Sequence, residues 1–111
     1  MTIRIACLQL DIAFGDPQTN EQQAEKAVQS AVNEGADIIV LPELWTTGYD
    51  LTRLDEIADD HAERTRAFAS RLAQTHGVHF VAGSVAKKTA AGVTNTMFVA
   101  DRSGQIVSEY S

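Results

Sequence analysis

Glu43 is the residue of this chain whose surroundings most favour chemistry. It follows Pro42, which itself follows Ile38, Ile39, Val40 and Leu41. Four aliphatic residues in a row, three of them β-branched, fit a strand buried on both faces of a parallel sheet. Proline has no amide hydrogen to give a neighbouring strand, so the ladder stops there. In open α/β sheets, sites gather at the carboxyl ends of strands, and Glu43 is the first residue past this one. A carboxylate so placed can accept a proton. Burial at the sheet end is expected to raise its pKa toward neutrality by disfavouring the charged form. Trp45 and Tyr49, in the loop that follows, are the candidate substrate contacts, with a lid over the core as the alternative for each.

Other side chains that could do chemistry have plainer explanations. Cys7, the only thiol, sits in an apolar run and reads as a small buried hydrophobe. His76 and His79 have a spacing found in zinc sites, yet one ends a helix and the other starts a strand, with no further ligand pair nearby. No metal is expected. Lys87 and Lys88 read as a solvated pair in a polar loop before Gly92, and Asn95 as a side chain satisfying backbone groups at a strand start.

The elements that must position Glu43 can be read from periodicity. Residues 3–10 lean apolar and predict a first strand. Residues 20–34 place Ala24, Ala27, Val28, Ala31 and Val32 on one helical face, with Thr19 and Gln22, or Asn20 and Gln23, as capping pairs. Gly35 is the expected left-handed cap, and a strand at 37–41 completes a β-α-β unit, parallel and right-handed. A second helix is predicted over 56–76, with Asp59 and Asp60 in its first turn and Gly77 closing it. A third strand at 78–83 precedes two β segments, 94–100 and 105–110, which form an antiparallel hairpin about the turn at 101–104. The order is β-α-β-α-β-β-β, an α/β fold.

At 111 residues the chain is at most one domain. A formal net charge of -6 would repel a phosphate backbone or an anionic membrane, so neither nucleic acid nor membrane is an expected partner. No export signal and no apolar run near the roughly 20 residues of a membrane span is visible. One cysteine allows no internal disulfide, which suits a cytoplasmic setting.

Taken together, Leu41-Pro42-Glu43-Leu44, Gln9 near the end of the first strand, Gly83-Ser84 after the third, Asn95-Thr96 in the hairpin and the turn at 101–104 resemble the nitrilase or carbon-nitrogen hydrolase superfamily over the whole chain. Residues 41–51 are similar to those of the bacterial 2-oxoglutaramate amidases of methionine salvage. The resemblance implies the N-terminal half of a four-layer α-β-β-α sandwich. It also implies a Glu-Lys-Cys set in which Glu43 is the general base, a lysine stabilises the oxyanion and a cysteine is the nucleophile. It implies no cofactor, a small-molecule amide as substrate and a homo-oligomer.

The family's lysine follows the hairpin in a Tyr-x-Lys context, and here Tyr110 and Ser111 are the last residues. Residues 1–111 are therefore expected to be the N-terminal part of a carbon-nitrogen hydrolase domain, truncated before the lysine and cysteine and inactive alone. One apolar sheet face should stand open. The rival readings are a receiver-like signalling domain, because the second strand, Asp37 to Leu41, resembles one carrying a phosphoacceptor aspartate, and a non-catalytic α/β interaction module.

Overall fold

Three parallel strands lie side by side in the sheet, from its edge inward: β1 (Ile5–Cys7), β2 (Ile38–Val40) and β4 (His79–Thr89). The computed structural model describes residues 2–111. Helix α1 (Pro17–Asn33) connects β1 to β2. A short helix α2 (Leu54–Ile57), a two-residue strand β3 (Asp59–Asp60) and helix α3 (Glu63–His76) lead from β2 to β4. Strands β5 (Gly92–Ala100) and β6 (Ile106–Tyr110) then add antiparallel neighbours, giving the order β1-β2-β4-β5-β6 with β3 pairing with β4. The α/β order expected from sequence stands, with α2 and β3 inserted.

Helix α1 starts earlier than the capping pairs suggested. Asp16 is the N-cap: its carboxylate accepts the Thr19 amide at 3.2 Å and the Thr19 hydroxyl at 2.7 Å, with Pro17 pre-set in the first turn. Its buried face, Asn20, Ala24, Val28 and Ala31, repeats at helical spacing. The predicted single helix over 56–76 is corrected to α2, β3 and α3. The chain is extended at Ala58 and left-handed at His61 and Ala62, φ 54° and 56°. Asp59 then accepts the amides of Arg64 and Thr65 at 3.2 and 2.7 Å, so it caps α3 from outside instead of lying in its first turn.

Helices α1 and α3 pack on one side of the sheet. Ala24, Val28, Phe68, Leu72, Ile39, Phe80 and Phe98 form a continuous core there. Burial alternates along β5, where Thr96, Phe98 and Ala100 face the helices and Asn95, Met97 and Val99 the opposite side. That opposite side also carries Ile5 and Cys7, the half-buried Ile38, Val40 and Val81, and Tyr110, with Ile5 60% and Tyr110 73% exposed. Cys7 is thus exposed on the open sheet face, not buried. Lys87 and Lys88 are corrected too. They belong to β4, where Lys87 reaches Glu109 at 2.8 Å and Lys88 donates to the Asp55 carbonyl at 3.0 Å.

Two surface carboxylates link the fold to pH. Hydrogen bonds from Thr19 hold Asp16, and those from Ser103 and Gln105 hold Asp101, below the ordinary carboxylate range. Each depressed folded value means stability that is present above the unfolded pKa and lost as pH falls through the folded one. The thermal midpoint is expected to fall as pH drops below about 4. An Asp16→Asn/Asp101→Asn variant should show a shallower fall, and an unchanged slope would contradict this assignment.

Candidate active site

The segment carrying Glu43 leaves β2 and crosses the same edge of β4 that β3 rejoins farther along, at Lys87 and Lys88. It is fastened to β4 at successive points. Leu41 donates its amide to the Val81 carbonyl at 2.9 Å, and the Trp45 indole donates to the Ala82 carbonyl at 2.7 Å. The Ser84 amide donates to the Pro42 carbonyl at 3.3 Å, and the Leu44 amide to the Ser84 hydroxyl at 3.1 Å. Farther along, buried Asn20 donates to the Thr46 and Ala13 carbonyls, both at 2.8 Å, which anchors the loop to the start of α1.

Glu43 itself is exposed and held at both oxygens. The Tyr49 hydroxyl donates to Oε1 at 2.6 Å, and the Asn95 side-chain amide donates to Oε2 at 3.1 Å. Asn95 faces away from the helices, so the carboxylate stands over the open sheet face at the end of β2. A carboxylate oxygen has more than one acceptor direction, so each keeps capacity for a proton from a third group.

The expected direction of the Glu43 pKa is corrected. The Tyr49 hydrogen bond, and then the Asn95 one, hold it below the usual value for glutamate, because both donors favour the charged form and outweigh the small opposing effect of desolvation. Tyr49 is correspondingly pushed up by its bond to Glu43 and by that residue's charge, so it remains a protonated donor. Removing either partner, as Tyr49→Phe or Asn95→Ala, is expected to raise the Glu43 titration point toward the ordinary value. A titration followed by carboxyl ¹³C shifts checks this, and an unmoved midpoint would contradict it.

The other sequence candidates divide. Tyr49, 60% exposed, is at the carboxylate and open to solvent. Trp45 is not: it is fully buried, its ring tilted at 40° to that of Phe68 with centroids 5.3 Å apart and its indole N–H engaged, and it serves as core. Asn95, read from sequence as a backbone partner, is instead a ligand of Glu43 across 52 residues. Ser84 and Asn20 gave no chemical signal of their own.

Residues 4–111 match the carbon-nitrogen hydrolase family. The 2-oxoglutaramate amidase of Bacillus subtilis (strain 168) is 49% identical over 106 residues, which cover 96% of this chain and 40% of that protein. Among solved structures, an amidase from Nesterenkonia sp. AN1, a glutamine-for-glutamate mutant with acrylamide added to its active-site cysteine, superposes with a TM-score of 0.81 at 25% identity, covering 99% of this chain and 44% of that one. A nitrilase-superfamily protein of Saccharomyces cerevisiae gives a TM-score of 0.87 at 20% identity over 97% of this chain and 43% of that one. The chain spans between 30% and 41% of the length of the curated relatives it matches, the Bacillus subtilis amidase among them.

Proposed function

Because this chain belongs to the carbon-nitrogen hydrolase family, we propose that Glu43 is the proton-accepting base of an enzyme that hydrolyses a small-molecule amide to a carboxylic acid and ammonia. The observation that carries this is the carboxylate held at both oxygens, by Tyr49 and Asn95, at the end of a central parallel strand. A base must be ionised and fixed before the reaction starts, and two neutral donors achieve both.

The reaction would run in two halves. A cysteine thiol gives its proton to Glu43, and the thiolate adds to the amide carbon. A lysine ammonium stabilises the oxyanion, and the nitrogen leaves as ammonia after receiving the proton from Glu43. Water then gives a proton to Glu43 as it attacks the thioester, and Glu43 passes that proton to the departing sulfur, releasing acid and thiol with the carboxylate restored. The cysteine and lysine would come from the remainder of a full-length protein, a chain as long as its relatives that includes these residues. Residues 1–111 alone would be inactive. No step calls for a metal or organic cofactor, and the cytoplasm is the proposed setting.

The open sheet face fits the same reading. It would be covered by a second sheet from the remaining chain, giving the four-layer sandwich, and the whole would assemble as a homo-oligomer. Closing that layer over Glu43 would desolvate it and raise its pKa, while Tyr49 and Asn95 oppose the rise and keep the carboxylate charged. Tyr49 would also line the substrate cavity. The identity to the Bacillus subtilis amidase supports 2-oxoglutaramate, or a similar ω-amide of a dicarboxylic acid, as substrate. Ammonia release from such amides tests the proposal: turnover by the full-length protein and none by residues 1–111 is expected, and absence of turnover across small amides with the full-length protein would reject it.

A further inference from the structure

Glu43 is followed by a residue in an uncommon backbone state. Leu44 has φ 48°, in the left-handed region that glycine tolerates and a branched side chain resists. Leu44 is also 92% removed from solvent, with 8% exposure, so the turn is held from inside. Such a conformation persists only where the surroundings over-determine it, and here the surroundings are two adjacent residues of β4. A β-bulge falls between Val81 and Ser84, with Gly83 at φ 61°. The bulge turns Ser84 so that it grips the glutamate's own peptide segment from both sides: its amide donates to the carbonyl of Pro42, and its hydroxyl accepts the amide of Leu44.

We propose that Ser84 is a positioning residue for Glu43, holding the left-handed elbow at Leu44 that aims the carboxylate at Tyr49 and Asn95. The hydroxyl is not among the carboxylate's hydrogen-bond partners. It acts through the main chain: without it the Leu44 amide loses its side-chain acceptor, and Leu44 relaxes toward the negative φ its side chain prefers. The carboxylate then swings away from one or both donors. This inference rests on the base role proposed for Glu43, but the elbow itself can be measured without any turnover.

The test uses four full-length proteins: wild type, Ser84→Ala, Ser84→Ala with Leu44→Gly, and Ser84→Thr. Two readouts are followed, the pH dependence of amide hydrolysis and the titration of the Glu43 carboxyl by ¹³C shift. Ser84→Ala is expected to lower kcat by about 10- to 10²-fold with KM little changed, the scale of a misplaced catalytic group. The Glu43 titration and the acidic limb of the rate profile should both move to higher pH as the donors are lost. Adding Leu44→Gly should restore much of both, because glycine adopts the left-handed state at no steric cost. Ser84→Thr keeps the hydroxyl and should stay near wild type.

A Ser84→Ala protein that melts earlier but keeps its rate profile and its Glu43 titration would overturn the proposal, as would failure of glycine at 44 to rescue. Where Ser84→Ala does not fold, Ser84→Cys offers a weaker acceptor of the same shape, and a smaller shift in the same direction is expected. No shift there overturns the proposal too. If wild type hydrolyses no amide, the reaction assignment fails, while the carboxyl titrations still decide whether Ser84 sets the elbow.

Discussion

Glu43→Gln in the full-length protein is expected to lower kcat for amide hydrolysis by about 10²- to 10⁴-fold, the range associated with losing a positioned general base. Glutamine keeps the length of the side chain but presents one acceptor oxygen and a donor amide, so it cannot take a proton from a thiol or from water. It also cannot offer an acceptor oxygen to each neighbour. Tyr49 and Asn95 both donate to the present carboxylate, and the amide nitrogen would face one of them. KM should change little, because the lost interaction belongs to the proton transfers. The variant should fold normally, since Glu43 is exposed and carries none of the core. Steady-state ammonia release checks this, and a variant that keeps more than about a tenth of wild-type kcat would contradict the base role.

The second large effect is expected at Gly83. A Cβ placed there would lie 2.1 Å from the Pro42 carbonyl oxygen and 2.6 Å from that of Leu41, and the position has φ 61°. Both carbonyls belong to the backbone leading into Glu43, so relief must come from moving that backbone or unfolding the bulge. Gly83→Ala is therefore expected to lose both stability and activity. The left-handed backbone alone accounts for about 1–3 kcal/mol, the collision adds to it, and displacement of the carboxylate should lower kcat by about 10²-fold. Gly77→Ala is the control: its φ is 64°, but nothing lies within 4 Å of an added Cβ, and it closes helix α3 without touching the backbone that leads into Glu43. Urea unfolding and turnover compared across the two variants should separate backbone strain from steric displacement. Equal losses of stability with unchanged turnover in both would contradict the close approach of β4 to residues 41 and 42.

Much of the fold was legible because it is written in local patterns. The aliphatic run ending at Pro42 marked β2, the apolar face through Ala24, Val28 and Ala31 marked α1, and the turn at 101–104 marked the β5–β6 hairpin. Those signals need only neighbouring residues. What failed depended on distant ones. The break between α2 and α3 has no glycine or proline to announce it; His61 and Ala62 take left-handed backbone while Asp59 gathers the Arg64 and Thr65 amides. Lys87 looked like a loop residue because its partner, Glu109, lies 22 residues away on β6.

The site was legible by half. The end of an aliphatic strand singled out Glu43 and Tyr49, although β2 is buried on its helix side only, and strand position does not say which donors reach a carboxylate. Burial had been expected to push Glu43 up, and the two hydrogen bonds hold it down instead. Asn95 comes from β5, in the antiparallel part of the sheet, and Trp45 turns inward to Phe68, which no spacing in residues 41–51 could distinguish from turning outward.

The most direct measurement compares the acidic limb of kcat/KM against pH for the full-length protein with the Glu43 carboxyl titration in the same free protein. The two midpoints should coincide, because the free enzyme's essential base sets that limb, and both should move to higher pH together in Asn95→Ala. A limb that stays in place while the Glu43 titration moves would assign the proton-accepting role to another group.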